Sequence, residues 1–155
     1  MSKGGQSVLT LFLLFFLAGC ATLPSSSPTW VTFPEGETGE GVTIDRWLET
    51  HPLKPGQEIA LHELSHSETS SSHLAVIGKE EKLHTHNHHE LVMILLKGQG
   101  IFTLGRRQIH LKPGAVLSIP RGVPHSFQNQ SSEPAVAYSI FIPAFDGRDT
   151  VLVEQ

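Results

Sequence analysis

What most constrains this chain is its punctuation. Between positions 57 and 142 every apolar or alternating run is short, and Gly, Pro or small polar residues separate one run from the next. Eight runs read as strands: 57–64, 72–77, 91–97, 101–104, 108–111, 115–119, 125–129 and 135–142. Gly98-Gln99-Gly100 and Gly105-Arg106 fall where hairpins turn. Lys112-Pro113-Gly114-Ala115 fits a type II turn, with Pro presetting φ and Gly accepting a positive one. Many short strands at even spacing give an all-β sandwich or barrel, and this pattern does not separate the two. One short helix is expected over 44–50, capped by Thr43 or Asp45, with Trp47 and Leu48 on its apolar side and Pro52 beyond it.

Two blocks within this region carry metal-binding side chains. The first runs from Gly78 through five residues to His84, then His86, Glu90 and Gly98. The second runs from Gly114 through Pro120-Arg121-Gly122 to His125 and Asn129. Imidazole and carboxylate bind borderline divalent metals. On a strand, His84 and His86 share a face, and period two assigns Glu90 and Val92 to the same side. His125, Phe127 and Asn129 share a face in the second block.

The two blocks resemble the paired motifs of the cupins. GAVLSIPRGVPHSFQN meets the family pattern throughout, and GKEEKLHTHNHHELVMILLKG departs once, with seven residues rather than six between Glu90 and Gly98. That excess is assigned to the end of the strand, leaving the ligands in place. The resemblance implies a double-stranded β-helix, a jelly-roll-like barrel, over about 57–142 of a 42–155 domain. It assigns His84, His86, Glu90 and His125 to one divalent transition metal, such as Fe, Mn, Zn or Ni. Three neutral imidazoles and a carboxylate leave such an ion one net positive charge and open positions for a ligand or water. The resemblance also implies a homodimer.

Other side chains are weaker candidates. His62, His73, His88 and Tyr138 each offer an acid or base, but an ordinary packed or exposed role is the commoner one. His88 shares the parity of Glu90, while His88 and His89 also suit a solvated rim. Asn129 is read as fixing a loop, and Asp146 and Asp149 as turn carboxylates.

The N-terminus is a targeting segment. Lys3 precedes the apolar stretch 8–18, and Leu17-Ala18-Gly19-Cys20 looks like a bacterial lipobox. This makes 1–19 a signal peptide, Cys20 a lipidated first residue and 20–41 a Pro/Ser/Gly-rich tether. An uncleaved anchor and cleavage near Ala21 are the alternatives. The single cysteine stands where lipidation needs it, which favours the lipoprotein. By the same resemblance to bacterial lipoproteins, Ala21 in place of an Asp implies the outer membrane, facing the periplasm. Net charge is −4 and there is no basic run, so nucleic acid is not the expected partner. The expected function is a metal-dependent oxygenase or isomerase acting on a small oxygen-rich or anionic molecule. The alternative is a non-catalytic module of the cell envelope that binds a small molecule or the metal itself.

Overall fold

The computed structural model describes residues 30–31 and 41–154. The signal segment, Cys20 and most of the tether lie outside these residues. Two antiparallel five-stranded sheets face each other. One has the order β3 (Ile59–His66), β4 (Ser71–Ile77), β11 (Ala135–Ile142), β6 (Glu90–Lys97), β9 (Val116–Ile119). The other runs β12 (Val151–Leu152), β5 (Glu80–Thr85), β10 (His125–Asn129), β7 (Gly100–Leu104), β8 (Arg107–Leu111). A short ladder pairs β1 (Trp30–Val31) with β2 (Val42–Thr43). The chain passes repeatedly between the large sheets, which is the winding of a double-stranded β-helix. Among the described residues no ladder joins them, so the barrel expected from the sequence is not closed.

Side-chain alternation builds the interior. On β6, Leu91, Met93 and Leu95 are buried in the inter-sheet core with Phe102, Ile119, Phe127 and Ala137. The opposite face of the first sheet buries Leu74, Val76 and Val136 under helix α1 (Ile44–Thr50). Seven residues are too few for a helix stable in water. This one persists because Ile44 and Trp47 are 4% and 5% exposed against that face, each large buried side chain contributing about 1.5–3 kcal/mol. The Thr43 hydroxyl caps it by accepting the Arg46 N–H at 3.3 Å.

The sequence reading of 125–129 and 135–142 coincides with the strands found, and the helix is where it was expected. The turn at Gly114 also holds: its φ is +90°, and the Ala115 N–H donates to the Lys112 carbonyl at 3.0 Å. The strand expected over 57–64 begins and ends two residues later. Strand β12 carries no sequence signal at all; it exists because Val151 and Leu152 find partners in Thr85 and His84.

Gly100 is required by close approach of backbone to backbone. A Cβ there would lie 2.1 Å from the Gln128 carbonyl oxygen and 2.7 Å from the Phe127 ring. Gly100→Ala should therefore force β7 from β10 and destabilise the domain by about 2 kcal/mol or more. Urea unfolding monitored by circular dichroism measures this, and an unchanged midpoint would contradict the packing described.

Candidate metal centre

His84 and His125 are direct cross-strand partners on β5 and β10, so their side chains leave the same face of the second sheet. His86 follows just past the end of β5. Its carbonyl accepts the Gly122 N–H at 2.8 Å, so the turn of the second block docks on the ligand-bearing end of the first. The three imidazoles are 3%, 5% and 1% exposed, and one nitrogen from each lies within 4.8 Å of the others.

The outer nitrogens decide what the inner ones can do. His84 Nδ1 faces the Lys82 carbonyl at 2.7 Å, His86 Nδ1 the Asp149 carbonyl at 2.6 Å, and His125 Nδ1 the Val123 carbonyl at 3.0 Å. A carbonyl only accepts, so each Nδ1 carries the hydrogen. In the neutral ring, each Nε2 then presents a lone pair. His84 Nε2 and His86 Nε2 are 3.2 Å apart, and His125 Nε2 is buried with no partner. Lone pairs this close repel one another unless a cation or a proton lies between them.

Burial lowers the pKa of His84 and of His86, against the carbonyl contacts that act the other way. Burial and then the neighbouring His84 push His125 down to about 4. Neutral imidazoles are the form that ligates a metal. The donor set therefore fits a borderline divalent ion held by His84, His86 and His125.

Glu90 does not join them. It is exposed at the start of β6, opposite Ile142, and the inward positions are Leu91, Met93 and Leu95. Residues 86–89 bend between β5 and β6 and reset the alternation that period two had carried across them. The extra residue before Gly98 thus falls at the beginning of the strand, and Leu91 takes the inward place expected of Glu90.

A different carboxyl reaches the cavity. On β10, His125 and Phe127 have equal parity, but their partners on β5 are His84 and Glu81, three apart. This bulge turns Glu81 to the face of His84, with its Oε1 3.8 Å from His84 Nε2. Burial without a cationic partner pushes the Glu81 carboxyl up to about 7. Glu81 does not share the 4.8 Å cluster of the imidazoles, and two ligands about 2.1 Å from one ion lie at most about 4.2 Å apart. As placed, it stands beside the ligand set rather than in it.

Asp149, expected from the sequence to be a solvated turn carboxylate, is instead buried. Its carboxylate accepts the N–H groups of Asn87, His88 and His89 at 3.0, 2.7 and 3.2 Å, and faces His89 Nδ1 at 2.6 Å. Its own carbonyl orients His86. His89 Nε2 faces the Ala144 carbonyl at 3.1 Å. His89 is buried in this clamp, whereas His88 is exposed rather than inward. His62 packs near Trp47 and His51, on the helix side of the first sheet. His73 contacts Ser71 Oγ at 2.8 Å and meets Phe141 edge-on, and Tyr138 packs in the helix-side cluster. None of the three lines the central cavity. The Asn129 amide ties loops, donating to Gly78 and Glu133 carbonyls at 2.8 Å. Asp146 is an exposed turn carboxylate that accepts the Arg148 N–H.

Comparison with known proteins agrees with this construction. The cupin domain family (Cupin_2) matches residues 72–141. An uncharacterized protein of Aquifex aeolicus is 37% identical over 98 residues, covering 63% of this chain and 80% of the relative. The chain thus carries a cupin domain over residues 72–141. Among solved structures, a Klebsiella pneumoniae protein with a double-stranded β-helix domain is 22% identical, with a TM-score of 0.57 over 68% of this chain and 94% of that one. The Streptomyces nucleoside dehydratase Pac13 is 15% identical, with a TM-score of 0.54 over 63% of this chain and 79% of that one. Pac13 has also been solved with uridine. At these identities the two structures show the shared fold alone.

Burial pushes the Asp149 carboxyl up, but the His88 N–H, the His89 ring and the Asn87 N–H outweigh it and hold it at about 2 instead of 3.8. A depressed folded-state pKa stabilises above the unfolded value and loses that contribution as pH falls from about 4 to about 2. Asp149→Ala should cost about 3 kcal/mol at neutral pH, because it strands three N–H groups and the His89 ring. It should also remove the part of acid destabilisation that falls in that window. Urea unfolding at pH 6 and pH 2.5 tests both, and an identical pH dependence in the two proteins would contradict the clamp.

Proposed function

We propose that this protein is a metal-binding cupin that presents its ion to a small molecule held between the two sheets. A metal-dependent oxygenase or isomerase reaction is the reading favoured. One observation carries it: three buried rings, each with its Nδ1 committed to a backbone carbonyl, aim three lone pairs at one centre. A divalent ion there supplies Lewis acidity and polarises a bound ligand oxygen or water. Imidazole donors suit Fe, Zn or Ni, and Mn less well in the absence of a carboxylate ligand. Glu81 adds a carboxyl able to hold or release a proton beside His84, which a catalyst uses and a storage site does not require. The second reading, a non-catalytic envelope module, draws on the absence of His62, His73, His88 and Tyr138 from the cavity lining. A homodimer belongs to the same proposal through the family resemblance.

Metal analysis of the full chain, purified without a His-tag, tests the centre. About one equivalent is expected, nearly all of it lost in His125→Ala and retained in Glu90→Gln. Loss in Glu90→Gln, or retention in His125→Ala, overturns the ligand assignment.

The lipid anchor is part of the proposal as well. Cys20 carries the lipid, 1–19 is removed and 20–41 tethers the domain to the outer membrane, facing the periplasm. Labelled palmitate should enter the wild-type chain and not Cys20→Ser, and Cys20→Ser should leave the membrane fraction. Equal labelling of the two would end this reading.

A further inference from the structure

We propose that the cavity at the three imidazoles takes a molecule that is uncharged in solution and mainly apolar, with a single metal-binding head. The inference rests on the metal reading above and adds what the rest of the ligand must be. The cavity holds about 430 Å³, within the roughly 300–1,000 Å³ of small-molecule pockets. Protein interiors contain few voids larger than a water. The cavity is a partly open cleft whose floor includes Leu95, Phe102 and Ile119, which are 1%, 2% and 2% exposed, so tight packing ends there at an apolar surface.

The walls choose that occupant. Ile77, Met93, Leu95, Phe102, Phe127 and Ala137 line the cavity. Phe141 and Phe145 stack at 4.6 Å and meet the His86 ring edge-on at 5.3 and 5.6 Å, forming an aromatic wall beside the metal position. A hydroxyl placed against these surfaces gives up water and gains no partner. Charge works in the same direction. Besides the imidazoles and two hydroxyls, the polar lining comprises Glu58, Glu80, Glu81 and Lys82, which is three carboxyl groups against one ammonium. No arginine lines the cavity to receive a carboxylate or phosphate with a bidentate fork. Away from the positive charge of the ion itself, an oxygen-rich or anionic body, as expected from the sequence, meets carboxyl groups at the mouth and apolar walls that offer it no partner. An aromatic or aliphatic body meets contact surface.

The test uses the full chain in lipid nanodiscs loaded with Co(II), whose visible absorption reports ligands entering its coordination. Benzohydroxamate, acetohydroxamate and malonate are titrated in turn. The first two share one chelating head and differ in the apolar body, and the third is a dianion. Benzohydroxamate should bind about tenfold or more tighter than acetohydroxamate through its buried ring, and malonate should bind most weakly. Ala137→Leu, which narrows the cavity, should shrink the benzohydroxamate advantage while leaving Co(II) stoichiometry unchanged. Should that variant not fold, Met93→Leu reshapes the same wall with nearly conserved volume and should alter the benzohydroxamate constant alone. Equal affinities for the two hydroxamates, or tightest binding of malonate, overturns the apolar assignment while the metal reading stands. Failure of the wild-type chain to develop a Co(II) spectrum before any ligand is added overturns the metal reading, and this inference with it.

Discussion

Three hydrogen bonds to backbone carbonyls organise the centre. By claiming Nδ1 of His84, His86 and His125, the Lys82, Asp149 and Val123 carbonyls leave each ring one free nitrogen and aim it inward. Without them each ring would be free to rotate or to change tautomer, and the lone pairs would not converge. Two of these acceptors lie two residues from the ring they hold, so one local segment supplies both imidazole and orienter. The third comes from the C-terminal segment, so the centre depends on how the chain returns after β11.

That return is secured electrostatically. Asp149 gathers the N–H groups of the bend between the two strands of the first block, while its own carbonyl holds His86. One residue thus shapes the loop and orients one of the three imidazoles. The short pairing of β12 with β5 fastens the same segment on its other side, through the Val153 N–H and the Leu83 carbonyl at 3.0 Å. The apolar walls between the sheets complete the site by excluding water, which strengthens any electrostatic interaction made inside.

Much of the architecture was legible because it is local. The all-β class, the helix over 44–50, the turn at Gly114 and the strands carrying His125 and Tyr138 all follow from runs and punctuation within a few residues. So does the pairing of His84 with His86, whose spacing sets one face. Glu90 was misplaced because period two was carried through a bend, and alternation has no meaning where the chain is not extended. Glu81 was passed over for the complementary reason. A bulge opposite Phe127 changed its parity, and bulges arise from pairing with another strand. Closure of the barrel was likewise a matter of which edges meet.

The sequence by itself determined which side chains are able to hold a metal and that His125 rides a short strand, because residue chemistry and strand period are local properties. Only the tertiary structure decided that three imidazoles rather than four side chains converge, and that Asp149 orients one of them from 63 positions away. Those outcomes depend on cross-strand register and on where the chain returns. Contacts between distant residues set both, and such contacts leave no periodic trace in the sequence.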